Sequence, residues 1–165
     1  MIIVPLSKSH DRKNFDCGEE SLNLFLRQTA RQTAERRTSK TFVLVESEDS
    51  TEIVGYHTTL VTTVKVEQVP EKLGKVDVPA LLLARLGVAQ QWQGQGMGEV
   101  LLVDVLRRAV IISEQTGLYS VVLDALTERA KSFYLRYGFS ELLDDPLHLY
   151  LPIGTILEFG WAASE

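Results

Sequence analysis

Residues 91–98 read Gln91-Trp92-Gln93-Gly94-Gln95-Gly96-Met97-Gly98, and they lie between an apolar run at residues 80–88 and an amphipathic segment that begins at Glu99. Glycine at alternate positions leaves little side-chain bulk, so a ligand can approach the main chain closely. Backbone N–H groups at a helix N-terminus form an anion site that the helix dipole reinforces. The segment therefore predicts a strand, a phosphate-binding loop and a helix, in that order.

The spacing of these glycines excludes two common nucleotide-binding motifs. A Walker A loop ends in Gly-Lys-Ser/Thr, whereas the residue after Gly98 is Glu99. The dinucleotide motif G-x-G-x-x-G needs its third glycine one residue later than Gly98. The spacing Gln91-x-x-Gly94-x-Gly96 instead resembles the pyrophosphate-binding motif of the GNAT superfamily, the acyl-CoA-dependent N-acetyltransferases. Taken alone, a glycine-rich turn that binds nothing is the alternative interpretation.

A second motif strengthens the resemblance. Residues 130–139, Ala-Lys-Ser-Phe-Tyr-Leu-Arg-Tyr-Gly-Phe, are similar to the A-x-x-F-Y-x-x-x-G-F segment near the C-terminal end of the same superfamily. Ala130, Phe133, Tyr134 and Tyr137 recur at helical spacing, and Gly138 lies where a helix end favours a left-handed residue. Aromatic side chains on such a face are commonly core residues, so Tyr134 alone would not indicate catalysis. The two motifs in this order identify the chain as a member of the superfamily.

Further segments resemble one branch of the superfamily, the GNAT toxins of bacterial toxin–antitoxin pairs. These segments are residues 15–26, which begin Phe-Asp-Cys-Gly, residues 83–88 and residues 149–156. The resemblance implies that the chain acetylates the α-amine of aminoacyl-tRNA and so blocks translation. It also implies a ribbon-helix-helix antitoxin as partner and allows a homodimer.

The resemblance implies an α/β (α+β) GNAT fold, with a mixed central sheet, helices on both faces and a splayed strand pair that holds acyl-CoA. The residue pattern is compatible with this order of elements, and we expect a single domain over residues 1–165. Asp16 or Ser21 is the predicted N-cap of the first helix. The predicted strands lie at residues 1–6, 41–45, 53–61, 80–88, 119–125 and 148–152, and the helices at residues 22–30, from 99 onward and at 127–137.

The resemblance also assigns roles within the site. Tyr134 is the candidate general acid that protonates the departing CoA thiolate, a task that suits a phenol of pKa about 10. Thr127 lies where many relatives carry Asn or Asp against the pantetheine arm, and it offers a shorter hydroxyl. Leu86 and Val88 are assigned to the pantetheine and acetyl group through main-chain atoms. The full set of predicted acetyl-CoA contacts is Leu86, Val88, Gln91, Gln93, Gly94, Gln95, Gly96, Met97, Gly98 and Thr127.

Charge is distributed unevenly along the chain. The net charge is −5, yet residues 8–40 carry eight basic and five acidic side chains. A basic segment can bind RNA phosphates, and Arg27 and Arg31 are spaced to share one helix face. The candidate RNA-binding residues are Arg27, Arg31, Arg36 and Arg37. A solvated helix surface is the alternative, and the sequence pI of 5.3 favours it.

Composition excludes other classes of function. The three histidines show no metal-ligand spacing, so we expect no metal. The single cysteine, Cys17, indicates a packed thiol, and the chain has neither a membrane-spanning stretch nor a secretory signal, which favours a cytoplasmic location. Two other functions stay open: acetylation of a small amine or a protein amine, and a non-catalytic domain that binds CoA or a partner.

Overall fold

The computed structural model describes residues 1–160, and their contacts group into two compact units. One unit comprises residues 1–60 and 83–105, and the other comprises residues 61–82 together with those from 106 onward. The single domain expected over residues 1–165 stays a prediction, and its last five residues lie outside the described part.

The strands are β1 (Ile2–Pro5), β2 (Lys40–Val45), β3 (Gly55–Val64), β4 (Val78–Val88), β5 (Ser120–Asp124), β6 (Ser140–Glu141) and β7 (His148–Pro152). The helices are α1 (Glu20–Leu24), α2 (Ala30–Glu35), α3 (Met97–Ser113), α4 (Glu128–Leu135) and α5 (Ile153–Phe159).

Within residues 1–160 the strands form a mixed seven-stranded sheet in the order β1-β2-β3-β4-β5-β7-β6. β4 and β5 pair in parallel, whereas β1–β2, β2–β3, β5–β7 and β6–β7 are antiparallel. The predicted α/β fold class with a mixed sheet is confirmed. No helix in the described residues is long and apolar enough to cross a bilayer.

β2 shows how the first unit carries helices on both sheet faces. Val43 and Val45 are fully buried in a cluster with Leu26, which precedes α2, and Ala30, the first residue of α2. Leu44 points the other way and packs with Leu101 of α3. Successive side chains of a strand alternate between faces, so this short apolar run builds two cores at once.

The pairing of β4 with β5 stops well before β4 ends. The register runs from Ala80–Ser120 to Leu82–Val122, while β4 continues to Val88. A splayed strand pair requires such a break, because the main-chain groups beyond it then have no strand partner on that edge.

The first predicted helix differs most from expectation. A π-helical turn at Phe25–Thr29 separates α1 from α2. The predicted cap is wrong: Glu19 occupies the N-cap position without a side-chain hydrogen bond. Asp16 instead accepts from the Gly18 N–H at 2.8 Å and from the Asn23 amide at 2.9 Å. A carboxylate with two nearby donors forms a local turn in preference to a helix cap.

Other boundaries differ by a few residues. α3 begins at Met97 and not at Glu99, so the last two residues of the glycine segment belong to the helix. The sequence pattern did not predict β6 or α5. β6 contains only Ser140 and Glu141, too short for an alternating pattern, and α5 follows directly from β7.

The second unit has its own core. Its buried side chains are Val64, Val69, Val78, Ala80, Val122, Leu142 and Tyr150. The Tyr150 hydroxyl donates to Glu71 at 2.7 Å, which ties the segment before β4 to β7. Gly138 adopts the predicted left-handed conformation, with a φ of 95°, and its N–H donates to Leu135. α4 itself ends at Leu135, two residues before the predicted end.

We expect Gly138→Ala to destabilise the protein. An alanine would be strained at this φ, and its Cβ would lie 2.6 Å from the Phe159 ring. The free energy of unfolding should fall by about 1–3 kcal/mol in urea titrations. Gly154→Ala is the matched control, since Gly154 lies in α5 with nothing within 4 Å of an added Cβ. A loss equal to that of the control would contradict the assignment of strain to Gly138.

Candidate functional site

The segment between β4 and α3, residues 89–96, is here named the glycine loop. Gly94 and Gly96 have φ values of 75° and 83°, a region that other residues rarely adopt. An added Cβ at either position would meet nothing within 4 Å, so the chain leaves open space there. Gly98 lies in the first turn of α3 and does not share the positive φ. Glycine is therefore required by the backbone at two of the three positions.

Glutamine side chains hold the glycine loop in place. The Gln93 amide donates to the Cys17 carbonyl at 2.8 Å and to the Val88 carbonyl at 2.9 Å. Gln95 donates to the Gln91 carbonyl at 3.1 Å, and the Gln91 side chain donates to Glu52 at 3.2 Å. These side chains hydrogen-bond to the protein itself. The predicted cofactor contacts of Gln91, Gln93 and Gln95 therefore stay a prediction, and we assign them to main-chain atoms only.

The start of α3 supplies unpaired N–H groups. The first N–H groups of a helix have no intrahelical acceptor, and the dipole of a helix favours an anion beside them. α3 spans 17 residues from Met97, and the glycine loop leads directly into it. The N–H groups of Met97 and Gly98 therefore lie where a phosphate is favoured.

Leu86 and Val88 are available to a ligand only through their main chain. Both side chains pack against the buried cluster of Leu44, Val54 and Leu101. The Val88 carbonyl accepts from the Gln93 side chain, and the Val88 N–H is the donor that could contact a cofactor. Their predicted role through main-chain atoms is compatible with this packing.

Tyr134 lies in the second unit, 9% exposed and in contact with aromatic side chains. Phe133 and Phe139 meet its ring edge-on at centroid distances of 5.1 and 5.6 Å. Burial raises the pKa of the phenol above its ordinary value, so the hydroxyl is protonated at neutral pH. Within residues 1–160 the hydroxyl makes no hydrogen bond. A protonated, unpaired hydroxyl is what a general acid requires.

Thr127 also has a structural role, as the N-cap of α4, which the sequence analysis did not predict. Its hydroxyl accepts a hydrogen bond from the Ala130 N–H at 3.1 Å and caps α4. The residue is exposed, and a hydroxyl that accepts can still donate. The predicted contact with a pantetheine arm therefore depends on donation.

The four candidate RNA-binding arginines do not share one environment. Arg27 lies in the π-helical turn, half-buried, with an Nε that is buried and has no hydrogen-bond partner. Arg31 pairs with Glu35 at 3.4 Å. Arg36 and Arg37 are exposed at the end of α2, where Arg37 adopts a left-handed φ of 60°. Arg27 and Arg31 were expected to share one face of a regular α-helix. The π-helical turn at Phe25–Thr29, which the apolar pattern does not predict, changes their relative direction.

Sequence reasoning missed two arginines of the first unit. The Arg12 guanidinium donates to the Arg27 carbonyl at 3.2 Å. The Arg85 guanidinium carbon lies 4.7 Å from the centroid of the Phe25 ring. Arg85 belongs to the motif at residues 83–88, and a charged residue inside an apolar strand was the available signal.

No group of three or more His, Cys, Asp or Glu side chains suited to a metal occurs in residues 1–160. His57 is fully buried, and its Nε2 lies 2.8 Å from an Asp104 oxygen. This histidine has a carboxylate partner inside the first unit and belongs to the core.

Comparison with known proteins decides the family. The family model described as "Acetyltransferase (GNAT) domain" matches residues 14–148. The chain belongs to this acetyltransferase family. It is 32% identical to a probable toxin TacT of Sinorhizobium fredii, over 94% of this chain and 92% of the relative. It is also 32% identical to a tRNA-acetylating toxin of Mycobacterium tuberculosis, over 88% of each chain.

Solved toxin structures share this fold. A tyrosine-to-phenylalanine mutant of KacT matches with a TM-score of 0.90 and 30% identity, over 96% of this chain and 98% of that one. AtaT complexed with acetyl-methionyl-tRNAfMet also matches with a TM-score of 0.90, at 26% identity over the same shares. A mutant AtaT bound to acetyl-CoA and the C-terminus of the antitoxin AtaR matches with a TM-score of 0.82 and 28% identity, over 96% and 97%.

Proposed function

We propose that this GNAT acetyltransferase is a toxin that transfers the acetyl group of acetyl-CoA to the α-amine of an aminoacyl-tRNA. The observation that carries the proposal is likeness over nearly the whole chain to proteins of that activity. The relatives include a tRNA-acetylating toxin, and AtaT matches as a complex with an acetylated methionyl-tRNA. An N-acetylated aminoacyl-tRNA has no free amine for elongation, so acetylation would block translation.

The glycine loop is the part of the chain suited to the CoA pyrophosphate. Gly94 and Gly96 bring the main chain close to open space, and the first N–H groups of α3 follow at once. Bound acetyl-CoA supplies the acetyl group as a thioester. The Val88 N–H, on the strand edge beyond the β4–β5 pairs, is the candidate contact for the acyl portion.

Tyr134 is the candidate proton donor for the CoA thiolate. Its raised pKa keeps the proton on the phenol until a strong base, such as a leaving thiolate, forms beside it. The amine must be neutral to attack, and an α-amine with a pKa of about 8 is partly neutral without a dedicated base. The reaction thus needs one protein acid, and we assign none of the carboxylates as a base.

The proposed partners follow from the relatives. AtaT is bound by the C-terminus of its antitoxin, and we propose an antitoxin of the ribbon-helix-helix type for this chain. We also propose a cytoplasmic location, where charged tRNA is found, and a possible homodimer.

Acetylation of a small amine is the second candidate. A net charge of −5 favours it, because proteins that bind RNA are usually basic. The release of free CoA thiol with charged tRNA, deacylated tRNA, a polyamine or a lysine peptide as acceptor separates the candidates. Release with charged tRNA alone supports the toxin, and release with the polyamine or the peptide alone contradicts it. A protein that binds acetyl-CoA without releasing thiol would be a non-catalytic domain.

We expect Gly96→Asp to weaken acetyl-CoA binding by roughly tenfold to hundredfold. The substitution strains a left-handed residue and adds a negative charge beside the proposed pyrophosphate site. Calorimetric titration measures the loss. Gly117→Asp adds the same charge in open space without a positive φ and should bind like the parent. Equal affinity in all three proteins would place the pyrophosphate elsewhere.

Tyr134→Phe should lower kcat by about 10²–10⁴ with charged tRNA. The phenylalanine keeps the packing against Phe133 and Phe139, so acetyl-CoA affinity should stay close to that of the parent. Tyr137→Phe, three residues further along the chain, is the control and should retain turnover. Full turnover by Tyr134→Phe would make Tyr134 a core residue only.

Charge reversal at Arg31, Arg36 and Arg37 should weaken tRNA binding and spare acetyl-CoA binding. Arg27 is left unchanged because its Nε is buried. The slope of log affinity against log salt should flatten by roughly 0.7–0.9 for each phosphate that the variant no longer binds. The control reverses the exposed Lys72, Lys75 and Arg129, an equal change in net charge. Identical salt slopes in the two triple variants would show a solvated surface at α2.

A further inference from the structure

Arg85 is a charged residue within an apolar strand, and it has no acidic partner among residues 1–160. It is half-buried on β4, and its Nη1 donates only to the neighbouring Ala84 carbonyl at 2.8 Å. Among residues 1–160 no carboxylate lies within ion-pairing distance of it. Arginine carries five N–H donors, and most of those of Arg85 have no acceptor among residues 1–160. Because the side chain is only half-buried, these donors are open to a ligand.

The guanidinium lies over one ring of a stacked aromatic pair. Its carbon lies 4.7 Å from the centroid of Phe25, which stacks on Tyr56 at 6.5 Å with planes 13° apart. Tyr56 is fully buried, and its hydroxyl donates to the Leu22 carbonyl at 2.7 Å. The guanidinium packs over the ring of Phe25 and keeps N–H donors open to a ligand. Its planar fork of donors is suited to two-point binding of a phosphate.

We propose that Arg85 binds the 5′-phosphate of the terminal nucleotide of the acceptor RNA, an inference that rests on the proposed function. Arg85 lies three residues before Val88, which corresponds to about 10 Å along β4. The covalent path from an α-amine through the ester and ribose to the 5′-phosphate spans roughly 10 Å when extended. A phosphate on Arg85 would therefore place the amine beside the strand segment assigned to the acetyl group. Arg85 is thus a positioning residue for the acceptor, and it takes no part in proton transfer.

The test uses minimal acceptors that differ by one phosphate. Each is an aminoacyl group, amide-linked to the 3′ position of 3′-amino-3′-deoxyadenosine, with or without a 5′-phosphate. The aminoacyl group is the one that the protein acetylates in total charged tRNA. The parent should prefer the phosphorylated acceptor by roughly tenfold to hundredfold in kcat/KM, as a charge-assisted hydrogen bond predicts. Arg85→Met keeps the apolar stem over Phe25 and should reduce this preference to about twofold or less.

Three controls keep the result specific. Arg85→Lys retains a charge without the planar fork and should show an intermediate preference. Arg136→Met removes an exposed guanidinium that lies 5.8 Å from the Phe133 centroid, and it should keep the full preference of the parent. Acetyl-CoA affinity equal to that of the parent reports that Arg85→Met is folded.

The outcomes separate the two proposals. If the parent acetylates charged tRNA but treats both minimal acceptors alike, the role of Arg85 is wrong and the proposed function stands. The role of Arg85 is also wrong, and the proposed function also stands, if Arg85→Met keeps the phosphate preference of the parent. If the parent acetylates no charged tRNA, the proposed function fails, and this inference fails with it.

Discussion

The Gln93 carboxamide fixes the conformation on which the candidate site depends. It donates to the Val88 carbonyl at the end of β4 and to the Cys17 carbonyl before α1, so one side chain joins the strand, the glycine loop and the N-terminal segment. Gly94 and Gly96 can then hold their left-handed conformations with the main chain facing open space. Since the loop leads directly into α3, the same constraint sets where the first N–H groups of that helix point.

A site built this way relies on main-chain atoms for binding and on few side chains for chemistry. Leu86 and Val88 use their side chains for the core, and the loop glutamines use theirs to brace the loop. Tyr134, protonated and without a hydrogen bond, is the one side chain to which we assign proton transfer. We propose that arginines of the first unit, Arg85 above all, select the acceptor. In that proposal an acidic chain can act on RNA because a few correctly placed arginines matter more than the net charge.

The sequence predicted what depends on local backbone chemistry. The glycine loop, the left-handed Gly138 and the position of β2 follow from spacing and residue type. It did not predict the π-helical turn, because the apolar pattern of residues 22–30 fits an unbroken α-helix equally well. The hydrogen bonds of Asp16 and Thr127 depend on which donor is nearest in space. That Arg85 lacks an acidic partner within residues 1–160 likewise depends on contacts between distant parts of the sequence.

The central claim concerns the chemical identity of the product. Total charged tRNA is incubated with the protein and acetyl-CoA, then digested with a nuclease that releases the 3′-terminal aminoacyl-adenosine for mass analysis. We expect an aminoacyl-adenosine that is heavier by one acetyl group, with the acetyl on the α-amine, and at least about 10²-fold less of it from Tyr134→Phe over the same time. Acetyl-CoA consumption with unmodified aminoacyl-adenosines, or an acetyl group on a base or ribose, would contradict it.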